Sequence, residues 1–408
     1  MAKPSVFTKL SLATLGGAAV LASGLLTAPA RAADPIKIGE INSYSTLPAF
    51  TLPYRNGWQL ALDEINAGGG INGRPLDVIS RDDNGKPGDA VTVANELLAR
   101  ENVSLLMGTF FSHIGLAVSD MAKQRQVLFV AAEPLTDAIT LEKGNHYTFR
   151  LRPPTYPQVA VLVEEAAKLP AKRWATVAPN YEYGQSSVAV FKKLLMAKRP
   201  DIEWVDEQWP AQGKIDAGST VQALARAKPE AIFNVTFGAD LIKLIREGNT
   251  RGLFEDRSVV SMLTGEPEYL DPLAAETVPG WIVTGYPAAQ ITTPEHVAFV
   301  KAYEAKYKEL PKLGSIVGYS TMKSVAAILA KAGSTDTEKL VAAAEGVKVA
   351  TPFGEITYRP EDHQSTLGVF VGKTALQDGK GVMVDWSYKK GEDYLPGLDE
   401  VKARRPAN

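Results

Sequence analysis

Residues 56–73 read NGWQLALDEINAGGGING, and this stretch sets the pattern for the rest of the chain. Apolar residues from Trp58 to Ile65 recur at i, i+3, i+4 and i+7, which is the spacing of a helix that packs one face on a sheet. Gly68–Gly70 ends that helix, because glycine adopts left-handed backbone conformations at little cost. The apolar run Leu76–Ile79 follows, so the stretch predicts a helix that leads into a strand.

The same alternation of short apolar runs and helical periods continues to about Thr284. Two long helical periods follow, at about 295–308 and 316–331, and short strands and turns are expected from Thr351 onward. Alternating strands and helices are typical of parallel sheets that are covered by helices on both faces. We therefore predict an α/β protein with two doubly wound parallel-sheet lobes.

Composition excludes several classes of protein. The chain has 408 residues, which is too long for one ordinary domain. Its 44 Lys and Arg against 46 Asp and Glu leave a net charge of −2, so no broad cationic surface is expected for nucleic acid or an acidic membrane. Cysteine is absent, and the four histidines lie far apart in sequence. We therefore expect no disulfide, no local metal site and no cofactor.

The N-terminal segment has the composition of a secretory signal. A lysine-containing start precedes Leu10–Leu26, a run of 17 residues without a charge, and Ala30-Arg31-Ala32 places small residues where a signal peptidase cleaves. A membrane anchor is the alternative, because this run is at the lower length limit of a span. We favour export to the periplasm, with residues 1–32 as a signal peptide that is cleaved near Ala32.

Three short motifs resemble known signatures but lie in the wrong context. Gly68–Gly73 matches G-x-G-x-x-G, but it follows a helix and precedes a strand, the reverse of a dinucleotide site. Ser320–Lys323 matches S-x-x-K without the S-D-N and K-T-G elements of serine β-lactamases. Asp82–Gly85 resembles the start of a calcium loop without its closing glutamate. These motifs supply no catalytic set, and we expect that the protein is not an enzyme.

Polar residues follow two neighbouring strands of the first half. Gly108–Ser112 comes directly after one strand and opens a helix, and Ala132–Thr136 follows the next strand. Ligands of open α/β folds bind at this carboxyl edge of the sheet. Ser112 can cap the helix, which is the more common role, or it can bind a carboxylate together with the free N–H groups of the helix.

Aromatic residues occur at the same kind of edge in both halves of the chain. They are Tyr44, Phe50, Tyr54, Phe110, Phe111, Tyr181, Tyr183 and Phe237. A single aromatic residue usually serves packing. Several of them on successive strand–helix turns predict a cleft that takes an apolar group.

Residues 56–73 closely resemble a signature of periplasmic binding proteins of the leucine/isoleucine/valine-binding type, which deliver ligands to ABC importers. The likeness continues at Tyr147–Arg150, Tyr183-Gly184, Arg246–Leu253 and Val317–Tyr319. It implies two α/β lobes that are joined by a three-strand hinge and close on a ligand like a clamshell. On this resemblance, residues 34–150 with 287–364 form lobe one, and 151–286 with 365–408 form lobe two.

The resemblance also implies roles for single residues. Ser112 would bind the carboxylate of the ligand, and the backbone amides of the turn Glu133–Thr136 would complete that site, with Leu135 where the family often has threonine. Phe50 would cover the side chain of the ligand, and Tyr183 and Phe237 would close over it from lobe two. The predicted set of ligand-binding residues is Phe50, Ser112, Glu133, Pro134, Leu135, Thr136, Tyr183, Phe237 and Glu266.

The sequence leaves two alternatives for the ligand, one with an amine and one without. Phe237 stands where amino-acid binders usually have a tyrosine that helps to hold the ammonium, and Glu266 would match the acid that pairs with it. If Glu266 faces the cleft, a hydrophobic amino acid is expected as the ligand. If Glu266 points away, an apolar or aromatic carboxylate without an amine is expected, and we lean toward this second alternative.

The resemblance implies a monomeric solute receptor that passes its ligand to an ABC permease in the inner membrane. A sensory or regulatory binding protein with the same lobes is one alternative. An exported enzyme is another, although the sequence offers no nucleophile–base pair, metal cluster or cofactor fingerprint for it.

Overall fold

The computed structural model describes residues 1, 5–10 and 34–407. The predicted cleavage site at Ala32 and most of the predicted signal peptide lie outside the described residues. The residues from Asp34 onward form one compact unit that contains two large sheets. The predicted α/β class with two lobes of mainly parallel strands is therefore confirmed.

The first sheet has five parallel strands in the order β2-β1-β3-β4-β5. Its strands are β1 (Ile36–Asn42), β2 (Leu76–Asp82), β3 (Leu105–Gly108), β4 (Phe129–Ala131) and β5 (Thr148–Arg150). The helices between them are α1 (Pro48–Ala67), α2 (Pro87–Ala99) and α3 (Ser112–Arg125). Because all the strands are parallel, their carboxyl ends meet at one edge of the sheet.

The second sheet has seven strands in the order β14-β13-β10-β9-β8-β6-β7. In chain order, its part of the molecule contains α4 (Thr155–Ala166), β6 (Arg173–Val177), α5 (Glu182–Lys198), β7 (Glu203–Gln208), α6 (Ala217–Ala227), β8 (Ala231–Asn234), α7 (Gly238–Thr250), β9 (Ser258–Gly265), α8 (Pro267–Leu273) and β10 (Ile282–Gly285). The strands β6 to β10 are parallel, and the later hairpin adds two antiparallel strands beside β10.

The rest of the chain packs one long helix on α1, forms a separate two-stranded sheet, and then adds two strands to the second sheet. It contains α9 (Pro294–Tyr307), α10 (Leu313–Ala332), α11 (Thr337–Ala344), β11 (Lys348–Thr351), β12 (Gly354–Thr357), β13 (Val369–Gln377), β14 (Lys380–Lys389) and α12 (Leu398–Arg404). Among the described helices, α10 is long and apolar enough to cross a membrane, and 72% of its apolar window is buried inside the protein.

Glycines allow α1 and α10 to pack in direct backbone contact. A Cβ atom added to Gly57 of α1 would lie 2.0 Å from the carbonyl oxygen of Ser315, and one added to Gly318 of α10 would lie 1.9 Å from the carbonyl oxygen of Tyr54. Real carbon–oxygen contacts are far longer than this, so only glycine allows the two helices to come so close. The stretch at residues 56–73 thus specifies a helix pair as well as a single helix.

The assignment of chain segments to the two lobes stays a prediction. The strands β13 and β14 pair with the second sheet, as the predicted division expects. However, the C-terminal residues, which we placed in lobe two, also contact residues placed in lobe one. Arg404 Nε donates to Glu142 Oε1 at 2.7 Å, and Arg405 Nη1 donates to the carbonyl oxygen of Thr140 at 2.7 Å.

Candidate ligand-binding site

Three helices begin at the cleft between the two sheets, and none of them has a side-chain cap. The N-cap residues of α3, α5 and α7 are Phe111, Tyr181 and Phe237, and none makes a capping hydrogen bond through its side chain. The first N–H groups of a helix carry partial positive charge and attract anions. The cleft therefore presents polarised donors beside large apolar side chains.

Ser112 does not cap α3, so the more common of its two predicted roles was wrong. The N-cap of α3 is Phe111, and Ser112 is the first residue of the helix. Its Oγ accepts a hydrogen bond from the backbone N–H of Thr136 at 3.2 Å. An oxygen that only accepts still carries its own hydrogen, so the Ser112 hydroxyl can donate to a carboxylate.

Thr136 connects this point to the opposite side of the cleft. Its Oγ1 donates to Glu182 Oε1 of α5 at 2.7 Å and accepts from the N–H of Ala138 at 3.2 Å. The structure therefore brings Ser112 and Thr136 together, as predicted, and adds Glu182 at the start of α5 as a partner of Thr136.

Pro134 and Leu135 shape the turn between Glu133 and Thr136. Pro134 packs so closely on α3 that a Cβ added to Gly115 would lie 2.5 Å from Pro134 Cγ. The Leu135 side chain lines the cleft, and its carbonyl oxygen accepts from the N–H and the hydroxyl of Thr155 at 2.7 Å and 2.8 Å. The turn is thus held in place from both sides.

Aromatic rings from both lobes meet across the cleft. The ring centroids of Phe110 and Phe237 are 6.2 Å apart, and Tyr183 lies edge-on to Phe237 at 5.7 Å. Phe50 packs against Phe110 at 5.0 Å, which places it behind that ring. The space enclosed here is only about 10 Å³ and is lined by Phe110, Ser112, Glu133, Leu135, Arg152, Tyr181, Tyr183, Phe237 and Leu263. Since this volume holds one water molecule at most, a larger ligand requires the lobes or the rings to move.

The floor of the cleft contains a buried ionic triad, Glu133–Arg152–Glu266. Arg152 Nη1 donates to Glu133 Oε2 at 3.0 Å, and its Nη2 donates to Glu266 Oε1. The three residues are 1%, 3% and 1% exposed, so water screens their charges very little. Glu133 follows β4 and Glu266 follows β9, so Arg152 joins the ends of strands from two different sheets.

Burial controls the titration of the triad. Burial raises the pKa of Glu133 to about 8, against the opposing effect of Arg152. Burial likewise raises the pKa of Glu266 well above its ordinary value, and the nearby acids Glu268 and Glu133 raise it further. Burial alone lowers the pKa of Arg152, but the two carboxylates more than offset it, so its guanidinium stays charged. One charge cannot neutralise two acids, so one of them holds a proton near neutral pH.

Arg152 stands between the aromatic cleft and Glu266. Glu133 and Arg152 line the cleft, and Glu266 does not. Glu266 and Arg152 instead line a second cavity of about 30 Å³ with Gln158, Thr284 and other residues. The structure therefore holds Glu266 beside the cleft, behind Arg152, rather than against the aromatic rings.

Strained backbone occurs at two points of the same cleft. Thr109 has φ of 63° and Leu263 has φ of 66°, a region that residues other than glycine rarely adopt. Gly108, next to Thr109, has φ of 115°, and a Cβ there would lie 2.3 Å from the carbonyl oxygen of Ile41. Strain of this kind concentrates at functional sites, where the surrounding packing maintains it.

Sequence reasoning missed Arg152 as a site residue. Its signal was available, because Arg152 lies two residues after β5 at the carboxyl edge where Glu133 follows β4. Leu263 lies inside β9 and lines the cleft with a positive φ, for which the sequence gave no comparable signal.

A family model for periplasmic binding proteins matches residues 35–380. The chain belongs to this family. The resemblance drawn from residues 56–73 is thereby confirmed, together with the class of solute-binding proteins of ABC transporters.

Two relatives from bacteria match most of the chain. The Leu/Ile/Val-binding protein homolog 7 of Brucella suis is 25% identical over 387 residues, with 90% of this chain and 95% of the relative covered. The leucine-, isoleucine-, valine-, threonine-, and alanine-binding protein of Pseudomonas aeruginosa is 24% identical, with 80% of this chain and 86% of the relative covered.

Solved structures share the fold. A solute-binding protein of an ABC transporter from Rhodopseudomonas palustris BisB5, in complex with 3,4-dihydroxybenzoic acid, has a TM-score of 0.78 and 24% identity over 88% of this chain and 98% of its own. The leucine-, isoleucine-, valine-, threonine-, and alanine-binding protein of Brucella ovis, in its closed conformation, has a TM-score of 0.77 and 21% identity. The match covers 89% of this chain and 97% of that protein.

Proposed function

We infer that the protein is the extracytoplasmic receptor of an ABC importer and that it binds a small carboxylate with an apolar or aromatic tail between its two lobes. Membership of the family implies a periplasmic location and a permease partner. The observation that carries the choice of ligand is the position of Ser112. It lies at an uncapped helix start, beside the Thr136 amide and against a wall of aromatic rings.

The polar end of the cleft suits a carboxylate. The Ser112 hydroxyl has a hydrogen to donate, and the start of α3 adds N–H groups that lack a side-chain cap. A carboxylate that accepts these hydrogen bonds would gain from charge-assisted contacts in a site with little water. The Thr136 N–H donates to the Ser112 oxygen at 3.2 Å, which leaves the hydrogen of that hydroxyl for the carboxylate.

The apolar end suits a flat or branched hydrocarbon tail. Phe110 comes from lobe one, and Tyr183 and Phe237 come from lobe two, so a tail between them would touch both lobes at once. Contacts that exist only when both lobes engage the ligand favour the closed state. Ligand binding would therefore shift the population of molecules toward the closed state.

Proteins similar to this chain take ligands at both limits of this class. Those from Rhodopseudomonas palustris were solved in complex with benzoate, 4-hydroxybenzoate or 3,4-dihydroxybenzoic acid, and the relative from Pseudomonas aeruginosa is named for leucine, isoleucine, valine, threonine and alanine. What these ligands share is a carboxylate on an apolar body, and our proposal extends only this shared chemistry to the present chain.

A ligand screen tests the proposal. The protein without residues 1–32 would be unfolded and refolded to remove carried ligand, then examined by thermal shift with leucine, phenylalanine, benzoate and 4-hydroxybenzoate. Saturation at about 100 times the dissociation constant stabilises a protein by roughly 2.7 kcal/mol, which a melting curve detects. We expect a shift with at least one compound and, in calorimetry, one site per chain. No shift with any small apolar carboxylate would contradict the proposal.

A further inference from the structure

The triad at the floor of the cleft leaves hydrogen-bond acceptors without partners. Within the described part of the chain, Glu133 Oε1 and Glu266 Oε2 are buried and make no hydrogen bond, although the other oxygen of each carboxyl contacts Arg152. A buried polar atom that stays unpaired costs about 1–3 kcal/mol, so an arrangement of this kind calls for a donor.

The two free oxygens lie in different places. Glu133 lines the aromatic cleft, where a ligand would lie, whereas Glu266 lines the second cavity on the far side of Arg152. Of the two acids, Glu133 is therefore the one that a ligand between the rings would meet. Tyr183 also lines the cleft, and its hydroxyl is buried and unpaired as well.

The acidic surroundings of the triad also favour a hydrogen-bond donor on the ligand. Among the described residues, Arg152 is the one cation in contact with Glu133 and Glu266, and Glu268 adds a further acidic group to their surroundings. A donor that enters beside Glu133 meets a surplus of acidic groups. A second anion at this point would be repelled by them.

We propose that Glu133 forms a subsite for a hydrogen-bond donor on the ligand, with Arg152 and Glu266 as positioning residues that hold its carboxyl in the cleft. This inference rests on the proposed function and narrows its ligand class. The ligand is an apolar carboxylate that also carries a donor, either an ammonium or a hydroxyl group. It also reassigns the role that the family resemblance gave to Glu266, because Arg152 separates Glu266 from the rings.

Two pairs of ligands test the subsite, because the members of each pair differ only in the donor. The pairs are phenylalanine with 3-phenylpropanoate, and 4-hydroxybenzoate with benzoate, each measured by calorimetry on the refolded protein. We expect the donor-bearing member of one pair to bind about tenfold or more tightly than its partner, the range of a hydrogen bond to a charged group. The pair that shows this preference identifies the donor as ammonium or hydroxyl.

Isosteric variants assign the preference to a residue. In Glu133→Gln we expect the preference to fall to about threefold or less. The one amide oxygen of glutamine would accept from Arg152, and its NH2 group, which is a donor, would replace the free oxygen. In Glu266→Gln, the matched control, we expect affinity to change while the preference is kept. Thermal unfolding of each variant shows that it is folded, and a preference is a ratio that a general loss of stability does not alter.

The outcomes separate this inference from the proposed function. Equal binding within both pairs, or tighter binding of the members without a donor, would overturn the donor subsite and leave the carboxylate receptor standing. A preference that survives Glu133→Gln and disappears in Glu266→Gln would return the role to Glu266. If none of the four compounds binds, the proposed function itself is contradicted.

Discussion

Replacing Arg152 by methionine tests how strongly the buried triad stabilises the closed arrangement. In the part of the chain that the structure describes, Arg152 is the one cation that contacts Glu133 and Glu266, and the variant removes it from two carboxyls that are 1% exposed. Breaking a buried ion pair by removing one partner typically costs about 3–5 kcal/mol, because the other charge is left unpaired. Protonation of the two acids limits this cost, so we expect a loss of about 3 kcal/mol at pH 7.

The raised pKa of Glu133 determines how the loss of stability in Arg152→Met depends on pH. The pKa of Glu133 is already raised from 4.5 to about 8 with Arg152 in place, so without that cation it rises further. Between the ordinary pKa and the folded one, the folded state binds more protons than the unfolded state, and stability falls as pH increases. Below about pH 8 both proteins keep this acid protonated and lose stability at a similar slope. We therefore expect the penalty of Arg152→Met to change little between pH 5 and 7 and to grow above about pH 8, where Glu133 ionises in the protein but not in the variant.

Urea unfolding at pH 5, 7 and 9, followed by the fluorescence of the six tryptophans, measures these losses. Arg100→Met is the matched control, because Arg100 makes a 3.5 Å ion pair with Glu96 and its side chain is 77% exposed. Exposed pairs contribute at most about 1 kcal/mol, so we expect little change. A loss below about 1 kcal/mol for Arg152→Met at pH 7, or a penalty that does not grow with pH, would refute the reasoning.

Three further predictions concern other parts of the molecule. Ser112→Ala should weaken ligand binding by roughly 1–3 kcal/mol in calorimetry, as expected for a lost hydrogen bond to a charged group, while the exposed Ser387→Ala should leave it unchanged. Burial raises the pKa of Glu40 from 4.5 to about 8, so Glu40→Gln should flatten the fall of stability between pH 5 and 8, at up to about 1.4 kcal/mol for each pH unit, in urea titrations. Gly318→Ala should destabilise the protein by about 1–3 kcal/mol or more in the same assay, since its Cβ would lie 1.9 Å from a carbonyl oxygen, whereas Gly88→Ala in α2, with open space around its Cβ, should not. An unchanged affinity of Ser112→Ala would contradict the first prediction, and an unchanged pH slope of Glu40→Gln would contradict the second. Equal stability of the two glycine variants would contradict the third.

The fold was predictable from the sequence where apolar residues keep one regular spacing over a long segment. The stripe from Trp58 to Ile65 and the glycines after it place the end of α1 at Ala67, as the structure does. The strands that lead to Ser112 and Glu133 were predicted for the same reason. Their carboxyl ends had to meet, because the sheet is parallel.

Two elements of the second lobe were not predicted. The helix α8 is only seven residues long and contains Pro272, so it has no apolar stripe to reveal it. The tail was expected to form short strands, but β13 and β14 make a long hairpin that turns at Asp378-Gly379. Both turn residues have positive φ, which Asp-Gly adopts readily, so this signal was present in the sequence.

The candidate site shows a different limit. Sequence placed Glu133 and Glu266 near the cleft, but it contained no information on which carboxyl faces the rings. That choice depends on Arg152, which contacts Glu133 across 19 positions of chain and Glu266 across 114. Contacts of this length arise from tertiary packing, so only the folded structure showed that Arg152 separates Glu266 from the rings.

The most direct test of ligand binding between the lobes is to lock the cleft and measure binding. The chain has no cysteine, so Thr136→Cys with Glu182→Cys would place a unique thiol pair across the cleft, where the native Oγ1 and Oε1 atoms are 2.7 Å apart. A short bifunctional thiol reagent would then join the lobes, and calorimetry would compare the joined protein with the unmodified double variant. We predict that joining the lobes without ligand abolishes binding, and that joining them with ligand present traps it. Binding of equal affinity to the joined and free forms would contradict a ligand site between the lobes.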